Sequence, residues 1–227
     1  SYTQPNHGIV YHYDESGWDV AQDHMDQELV SVHCVAEDFV IAGGEDGYVF
    51  RGSGLDWMRW MPEVTADFID VWGTSISDLY AVSEDGSIYW YDGMSWNEIS
   101  GPGHPAEKIW GLSANEIYTV GEQGVFRYNG ISWSQIFDEP ANDIWGTSST
   151  NLYVTNARPN SYVRHYDGAE WTYVSTYPYY FQNLGVWGTP DDELFLVGDY
   201  EECDHSQMLC WFVPRTKRKM LKILSMS

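Results

Sequence analysis

The chain has 227 residues, of which 16% are aromatic, and its formal net charge is −23. With 12 Trp and 17 Tyr, it is too rich in large apolar side chains to be a disordered acidic polymer. No apolar run approaches the roughly 20 residues that a membrane-spanning helix needs. We therefore expect a folded chain without a transmembrane segment.

The charge excludes some partners and favours others. A strongly acidic surface repels nucleic acid and anionic lipid, so we expect no nucleic-acid partner. The same surface is compatible with a cationic protein, a divalent metal or a neutral ligand such as a sugar. The basic residues are concentrated at the C-terminus, since residues 214–227 hold five of the 11 and no acid. We interpret this segment as a basic tail outside the fold.

Five copies of one unit follow each other along the chain, after an N-terminal segment (9–20) that reads as two strands. The copies span residues 29–60, 69–99, 107–136, 142–175 and 182–213. The first four copies each contain four short predicted strands, A to D, and the fifth contains strands A to C. The first copy matches the repeat pattern less well than the others, with His33 where they have a tryptophan. A period near forty with four strands per unit is typical of propeller blades. The predicted fold is a single all-β domain, a β-propeller of five four-stranded antiparallel blades over residues 1–213.

Two sets of tryptophans mark the repeat. The first set lies in strand A within the motif Trp-Gly, at steps of 38, 35 and 42 residues: Trp72, Trp110, Trp145 and Trp187. The second set begins strand D, at steps of 37 and 38 residues: Trp96, Trp133 and Trp171. Aromatic side chains suit a pleated, half-buried surface. We therefore expect these tryptophans to pack between adjacent sheets rather than to contact a ligand.

The turn between strands C and D carries Asp-Gly or Asn-Gly, as at 92–93 and 129–130. These dipeptides favour type I′ hairpins, in which both central residues need positive φ. Segment 9–20 offers a strand D that the last repeat lacks, so we predict that it completes the fifth blade and closes the ring without exposed edges. One strand C is then left over. The alternative is that the chain is a piece of a larger propeller.

The phrase V-W-G-T-S-x-x-D-L-Y-A-V, followed by Y-D-G-x-x-W, resembles the repeat of β-propeller proteins and lipoproteins from myxobacteria and related bacteria. The resemblance extends over nearly all of residues 9–213 and implies a propeller but no particular activity. Tectonin-type and tachylectin-like lectin propellers are more distantly similar and imply sugar binding. The Asp-box of sialidases and photosystem assembly factors, S-x-D-x-G-x-x-W, does not fit, because no residue separates Asp92 from Gly93.

Acidic pairs occupy the B–C turns of the first two repeats: Glu45 with Asp46, and Glu84 with Asp85. In a propeller these turns lie on one face, where hard carboxylate oxygens could bind calcium. Acids beside glycine are also ordinary at solvated hairpin tips, and we favour that interpretation. We therefore predict no required cofactor, with calcium as the alternative.

The connection after the fourth repeat reads S-T-Y-P-Y-Y-F-Q and is rich in aromatic residues. A sugar ring or a cation can stack on such flat side chains. The candidate ligand-binding residues are therefore Tyr177, Tyr179, Tyr180 and Phe181. The alternative is that the loop is a buried plug.

The three cysteines bear on the compartment. Cys203 and Cys210 bracket a six-residue insert between two predicted strands, where a hairpin disulfide is reasonable, and Cys34 is left over and expected to be buried. A disulfide favours an oxidising compartment, so we expect a secreted, periplasmic or cell-surface protein.

Local catalytic signatures are missing, including G-x-S-x-G, H-E-x-x-H and the P-loop. We therefore predict a non-catalytic recognition module, acting as a monomer, that binds a glycan or a protein surface on its loop face. A structural scaffold without a small-molecule ligand is the second hypothesis. A glycoside hydrolase is the third, because paired carboxylates on loops leave no local motif.

Overall fold

The computed structural model describes residues 8–25, 28–60, 64–156, 162–175, 181–190, 193–200 and 211–213. The chain divides into two compact units, Ser1–Ala114 and Asn115–Ser227. Each unit is built from antiparallel strands.

Unit 1 contains an N-terminal hairpin, two complete four-stranded sheets and one further strand. The hairpin pairs β1 (Gly8–Asp14) with β2 (Gly17–Met25). The first repeat forms a sheet in chain order from β3 (Leu29–Ala36), β4 (Phe39–Gly44), β5 (Val49–Ser53) and β6 (Asp56–Trp60). The second repeat does the same with β7 (Phe68–Ser75), β8 (Asp78–Ser83), β9 (Ile88–Tyr91) and β10 (Trp96–Ile99). Strand A of the third repeat is β11 (Lys108–Ser113).

Unit 2 contains the remaining strands. The third repeat continues with the antiparallel ladder of β12 (Glu116–Gly121), β13 (Gly124–Tyr128) and β14 (Trp133–Phe137). The fourth repeat forms a sheet from β15 (Asp143–Ser148), β16 (Asn151–Asn156), β17 (Tyr162–Tyr166) and β18 (Trp171–Ser175). The fifth supplies β19 (Phe181–Gly188), β20 (Leu194–Tyr200) and β21 (Trp211–Val213).

This architecture confirms the all-β class and the four-stranded antiparallel repeat predicted from the sequence. The first four repeats supply four strands each, and three strands of the fifth lie among the described residues. Segment 9–20 forms the hairpin β1–β2. Its pairing with the last repeat, and therefore the closure of the ring, stays a prediction.

Strand B forms the core of the second, third and fourth repeats. Every residue of β8, β12 and β16 after the first is buried, as expected for a short, continuously apolar strand covered on both faces. Around these strands the core of unit 1 contains Ile41, Val49, Phe68, Val71, Leu79, Ala81 and Tyr91. The core of unit 2 contains Trp145, Tyr153, Val163, Val186, Leu194 and Leu196.

The C–D turns differ from the predicted type I′ class. Gly93, Gly130 and Gly168 have φ between +87° and +99°, whereas the preceding Asp or Asn does not have positive φ. The turn is closed one residue later than predicted, by a bond such as Asp92 N–H to the Ser95 carbonyl. Glycine is therefore the first central residue, and only that residue needs positive φ, as in type II′ hairpins.

The acidic or amide residue before this glycine accepts backbone N–H bonds instead. The Asp92 Oδ1 accepts from the N–H groups of Met94 and Ser95, at 2.8 and 2.9 Å. These backbone bonds lower the pKa of Asp92. This Asx turn, rather than a left-handed Asp, explains the residue type.

Candidate functional site

The strand-A tryptophans of two repeats are buried against their neighbours. Trp72 and Trp145 are 5% and 8% exposed. A Cβ built on Gly188, in the next repeat, would lie 2.5 Å from the Trp145 ring. Gly188, which follows Trp187, therefore makes room for the tryptophan of the repeat before it. Trp187 differs, because it is 61% exposed.

Trp110 and the strand-D tryptophans are intermediate in exposure. In the C–D hairpins of the second, third and fourth repeats, the tryptophan lies next to the tyrosine that ends strand C, with ring centroids 5.0 to 5.6 Å apart: Tyr91–Trp96, Tyr128–Trp133 and Tyr166–Trp171. The Trp171 indole also donates to the carbonyl of Ile136 in the preceding repeat, at 2.7 Å. The N-terminal hairpin repeats the pair with Tyr13 and Trp18, at 5.2 Å.

Consecutive repeats are also joined by a polar bond that the sequence analysis missed. In the second and fourth repeats, the aspartate two positions before the strand-A tryptophan accepts a backbone N–H of the next repeat. Asp70 Oδ2 accepts from Ile109 at 2.9 Å, and Asp143 Oδ2 accepts from Val186 at 2.8 Å. The signal was present in the sequence, since both repeats have aspartate at that position, in D-V-W-G and D-I-W-G.

In the first repeat a serine replaces this aspartate. Ser31 Oγ accepts the N–H of Val71 at 3.2 Å and donates to Asp70 Oδ1 at 2.5 Å. Lys108 Nζ approaches the same Asp70 oxygen at 3.9 Å. The buried Asp70 carboxylate is therefore fully engaged in holding three repeats together, which is a structural rather than a catalytic role.

His33 occupies the tryptophan position of the first repeat. Its Nε2 lies 3.1 Å from the Gly73 carbonyl, so it donates to the backbone of the next repeat. Its ring is 6.1 Å from that of Trp72. Burial lowers the pKa of His33, while the hydrogen bond with Gly73 and the charge of Asp70 act in the opposite direction. A neutral imidazole thus packs where other repeats have an indole.

An acid-lined cleft of about 430 Å³ lies in unit 1, between the connection that precedes β7 and the B–C turn of the second repeat. We call it the acidic cleft, and its lining is Thr65, Ala66, Asp67, Ser83, Glu84 and Asp85. Two of the four predicted acids therefore line it directly. Asp67, which the sequence analysis did not single out, connects them to the first repeat, because its Oδ1 accepts the backbone N–H of Asp46 at 2.7 Å.

Two features of the backbone shape this cleft. Gly47 has φ +68°, and a Cβ there would lie 2.1 Å from the Val64 carbonyl, so the B–C turn of the first repeat packs closely on the segment before β7. The Glu84 N–H donates to the Asp67 carbonyl at 2.9 Å. The acidic turns of two repeats are thereby fixed to the same segment.

The acids of the cleft are not equivalent. Asp85 Oδ1 accepts from the Ser83 hydroxyl at 2.6 Å and from the Ser87 N–H at 2.9 Å, and these bonds lower the pKa of Asp85. Its role is to fix the turn. Glu84 and Asp67 are exposed and present carboxylates to the cleft. Glu45 is exposed in the neighbouring turn.

Calcium binding stays a prediction. Within the described ranges, no group of three or more His, Cys, Asp and Glu side chains is arranged so that it could hold a metal ion. The same part of the chain contains no helix long and apolar enough to cross a membrane.

Several predicted residues lie outside the described part of the chain. These are Tyr177, Tyr179, Tyr180, Cys203, Cys210 and the tail 214–227. The backbone of Phe181 begins β19 and pairs with Tyr200. Cys34 was expected to be buried, and this was wrong: it is an exposed free thiol, because side chains alternate along β3 and Cys34 falls on the outer side.

Solved structures with a similar fold are β-propellers. "YCF48 bound to D1 peptide" aligns with a TM-score of 0.59 and 13% identity, over 81% of this chain and 62% of that chain. "YCF48 from Cyanidioschyzon merolae" gives 0.60 and 13%, over 86% and 71%. The WD40 β-propeller domain of Doa1 gives 0.60 and 12%, over 86% and 68%. This chain thus spans less than two thirds of the first of these structures.

The sequence matches no protein-family model and no curated protein. The resemblance to the Trp-Gly repeat proteins of myxobacteria therefore stays a prediction. At 12–13% identity the structural likeness shows the fold alone. Together with the repeated antiparallel sheets, it confirms that this chain has a β-propeller fold.

Proposed function

We propose that this protein is a non-catalytic recognition module whose acidic cleft binds a basic segment of a partner polypeptide. The observation that carries the proposal is the cleft itself, in which the exposed carboxylates of Asp67 and Glu84 face a volume of about 430 Å³. That volume is at the lower end of the range for ligand pockets. It would suit one or two long side chains, and a lysine or arginine would offset the charge.

Two further facts support a polypeptide rather than an anionic ligand. The net charge of −23 attracts cationic partners and speeds their association at low ionic strength. One of the structural neighbours, YCF48, is described in complex with a peptide. Similarity of fold does not transfer a ligand, so the charge and shape of the cleft are the stronger support.

The test uses a labelled peptide of alternating Lys and Ala, with a Glu/Ala peptide of equal length as the reference. We expect the Lys/Ala peptide to bind and the Glu/Ala peptide not to bind, with an affinity that falls as salt is added. The double variant Asp67→Asn/Glu84→Gln should weaken binding. Asp67→Asn keeps an oxygen that can accept the Asp46 N–H, so the turn should survive.

The matched control is Glu15→Gln/Glu37→Gln, which removes the same charge from two exposed positions at other turns. If both double variants weaken binding equally, attraction to the overall charge accounts for it and the cleft is not a site. If neither peptide binds, a scaffold role becomes the better account.

Glycan binding remains a separate hypothesis that depends on the aromatic segment 177–181. Export from the cell and a monomeric state are likewise proposals. Each has its own measurement, namely a glycan array, cell fractionation and light scattering.

A further inference from the structure

Asn129 and Gly130 form the only Asn-Gly pair in the sequence. They lie in the exposed turn between β13 and β14, and the N–H of Asn129 donates to the Ser132 carbonyl at 3.2 Å. The corresponding turns of the second and fourth repeats have Asp92-Gly93 and Asp167-Gly168. The third repeat therefore carries an amide where its neighbours carry a carboxylate.

The geometry around the Asn129 side chain favours attack on its amide carbon. The N–H groups of Ile131 and Ser132 both donate to Oδ1, at 3.0 and 2.9 Å. Two backbone donors on one carbonyl oxygen at these distances form the arrangement that stabilises a developing oxyanion. The adjacent backbone nitrogen belongs to glycine, which has no side chain to hinder its approach.

We propose that Asn129-Gly130 is a site of spontaneous deamidation in the folded protein. The Gly130 nitrogen attacks Cγ of Asn129 and loses its proton, while the amide nitrogen leaves as ammonia, which closes a succinimide ring. One water molecule then opens the ring. Opening at one carbonyl gives aspartate, and opening at the other gives isoaspartate. No oxidant or reductant is needed.

The two products have different consequences for the turn. Aspartate reproduces the residue of the neighbouring repeats, in which Asp92 and Asp167 accept the same pair of N–H bonds at 2.8 to 3.0 Å. Isoaspartate adds a methylene to the main chain and shortens the side chain, so these bonds cannot form. Deamidation to aspartate therefore adds one negative charge without disturbing the fold.

The experiment is incubation of the full chain at mildly alkaline pH, followed by peptide mapping with mass spectrometry. We expect conversion at Asn129 at a rate at least equal to that in the urea-unfolded chain. Asn97 and Asn151, which are followed by Glu98 and Leu152, should stay intact over the same time. Slower conversion of Asn129 in the folded protein than in urea would overturn the proposal, because it would mean that the turn protects the amide.

The variant Asp92→Asn provides a matched test of the geometry. It places Asn-Gly in a turn with the same closing bond and the same two donors. We expect position 92 to deamidate at a rate comparable to position 129, and an intact amide there would contradict the assigned role of the turn. Asn129→Asp should keep the thermal midpoint of the parent protein. A large drop in that midpoint would show that aspartate does not fit this turn.

Discussion

The carboxylate of Asp70 accepts a hydrogen bond from the backbone N–H of Ile109, 39 positions further along the chain, at 2.9 Å. Asp143 makes the same bond to Val186, at 2.8 Å. The two aspartates occupy the same position of the repeat, so one side chain type links one sheet to the next wherever it is present.

Removing this acceptor should destabilise the protein. Asp70→Ala leaves the Ile109 N–H and the Ser31 hydroxyl without their acceptor in a buried site, which costs about 1–3 kcal/mol of unfolding free energy. Asp143→Ala should behave similarly. Urea denaturation followed by circular dichroism measures both, with Glu37→Ala as an exposed control. An unchanged urea midpoint for Asp70→Ala would contradict this prediction, because it would mean that water takes over the role of the carboxylate as hydrogen-bond acceptor.

His33 should make stability depend on pH. Because burial lowers the pKa of His33 in the folded state, the unfolded chain binds the proton more readily, with a pKa of about 6.5. The contribution of neutral His33 is fully present above that value. It is lost as pH falls from there toward the folded-state pKa.

The variant His33→Gln isolates this effect. Glutamine places an amide N–H near the Gly73 carbonyl but does not titrate. We expect the free energy of unfolding of the parent to fall relative to that of the variant as pH is lowered from 7 to 5 in urea titrations. Parallel curves over that interval would rule out His33 as the titrating group.

Gly188 should not tolerate a side chain. A methyl group there would lie 2.5 Å from the Trp145 ring, so Gly188→Ala forces the buried indole out of place. Overpacking of this kind costs about 1–3 kcal/mol. At Gly101 a Cβ would meet Ile88 at 3.4 Å without a positive φ, which makes Gly101→Ala a suitable control. Equal urea midpoints for the two variants would contradict the packing described here.

The aromatic segment 177–181 should decide whether the protein binds sugars. If it is a lectin site, a glycan array should show bound sugars. Tyr179→Ala and Tyr180→Ala should weaken that binding, because the stacking of the sugar ring on these aromatic rings would be lost. Repeating the array with calcium and with chelator tests the acidic turns at the same time. If no glycan on the array is bound, binding of a polypeptide would be the remaining recognition function.

The repeat made most of the fold predictable. Its period gave the five units, and the Gly-containing turns gave the strand boundaries. The turn class was wrong because Asp-Gly was placed at the centre of the turn, whereas Asp92 stands one position earlier and uses its side chain. Side-chain capping competes with backbone conformation at such residues, and dipeptide statistics do not separate the two.

The candidate site was predictable only in part. Glu84 and Asp85 could be singled out because they sit in a recognisable B–C turn. Asp67 could not, because it lies in a connection without a repeat pattern, and its proximity to Asp46 depends on how two sheets pack. The burial of Cys34 was misjudged for a related reason, since which face of a strand is covered depends on its neighbours.

The bond from Asp70 or Asp143 has a consequence for how such a chain can evolve. Each carboxylate binds a main-chain N–H, which every residue except proline provides. The following repeat can therefore change its side chains freely without losing the link, provided that no proline arises at the position that donates the N–H. Duplication of a repeat needs no matched pair of mutations to join the new copy to the next one, and this tolerance favours arrays that grow and diverge unit by unit.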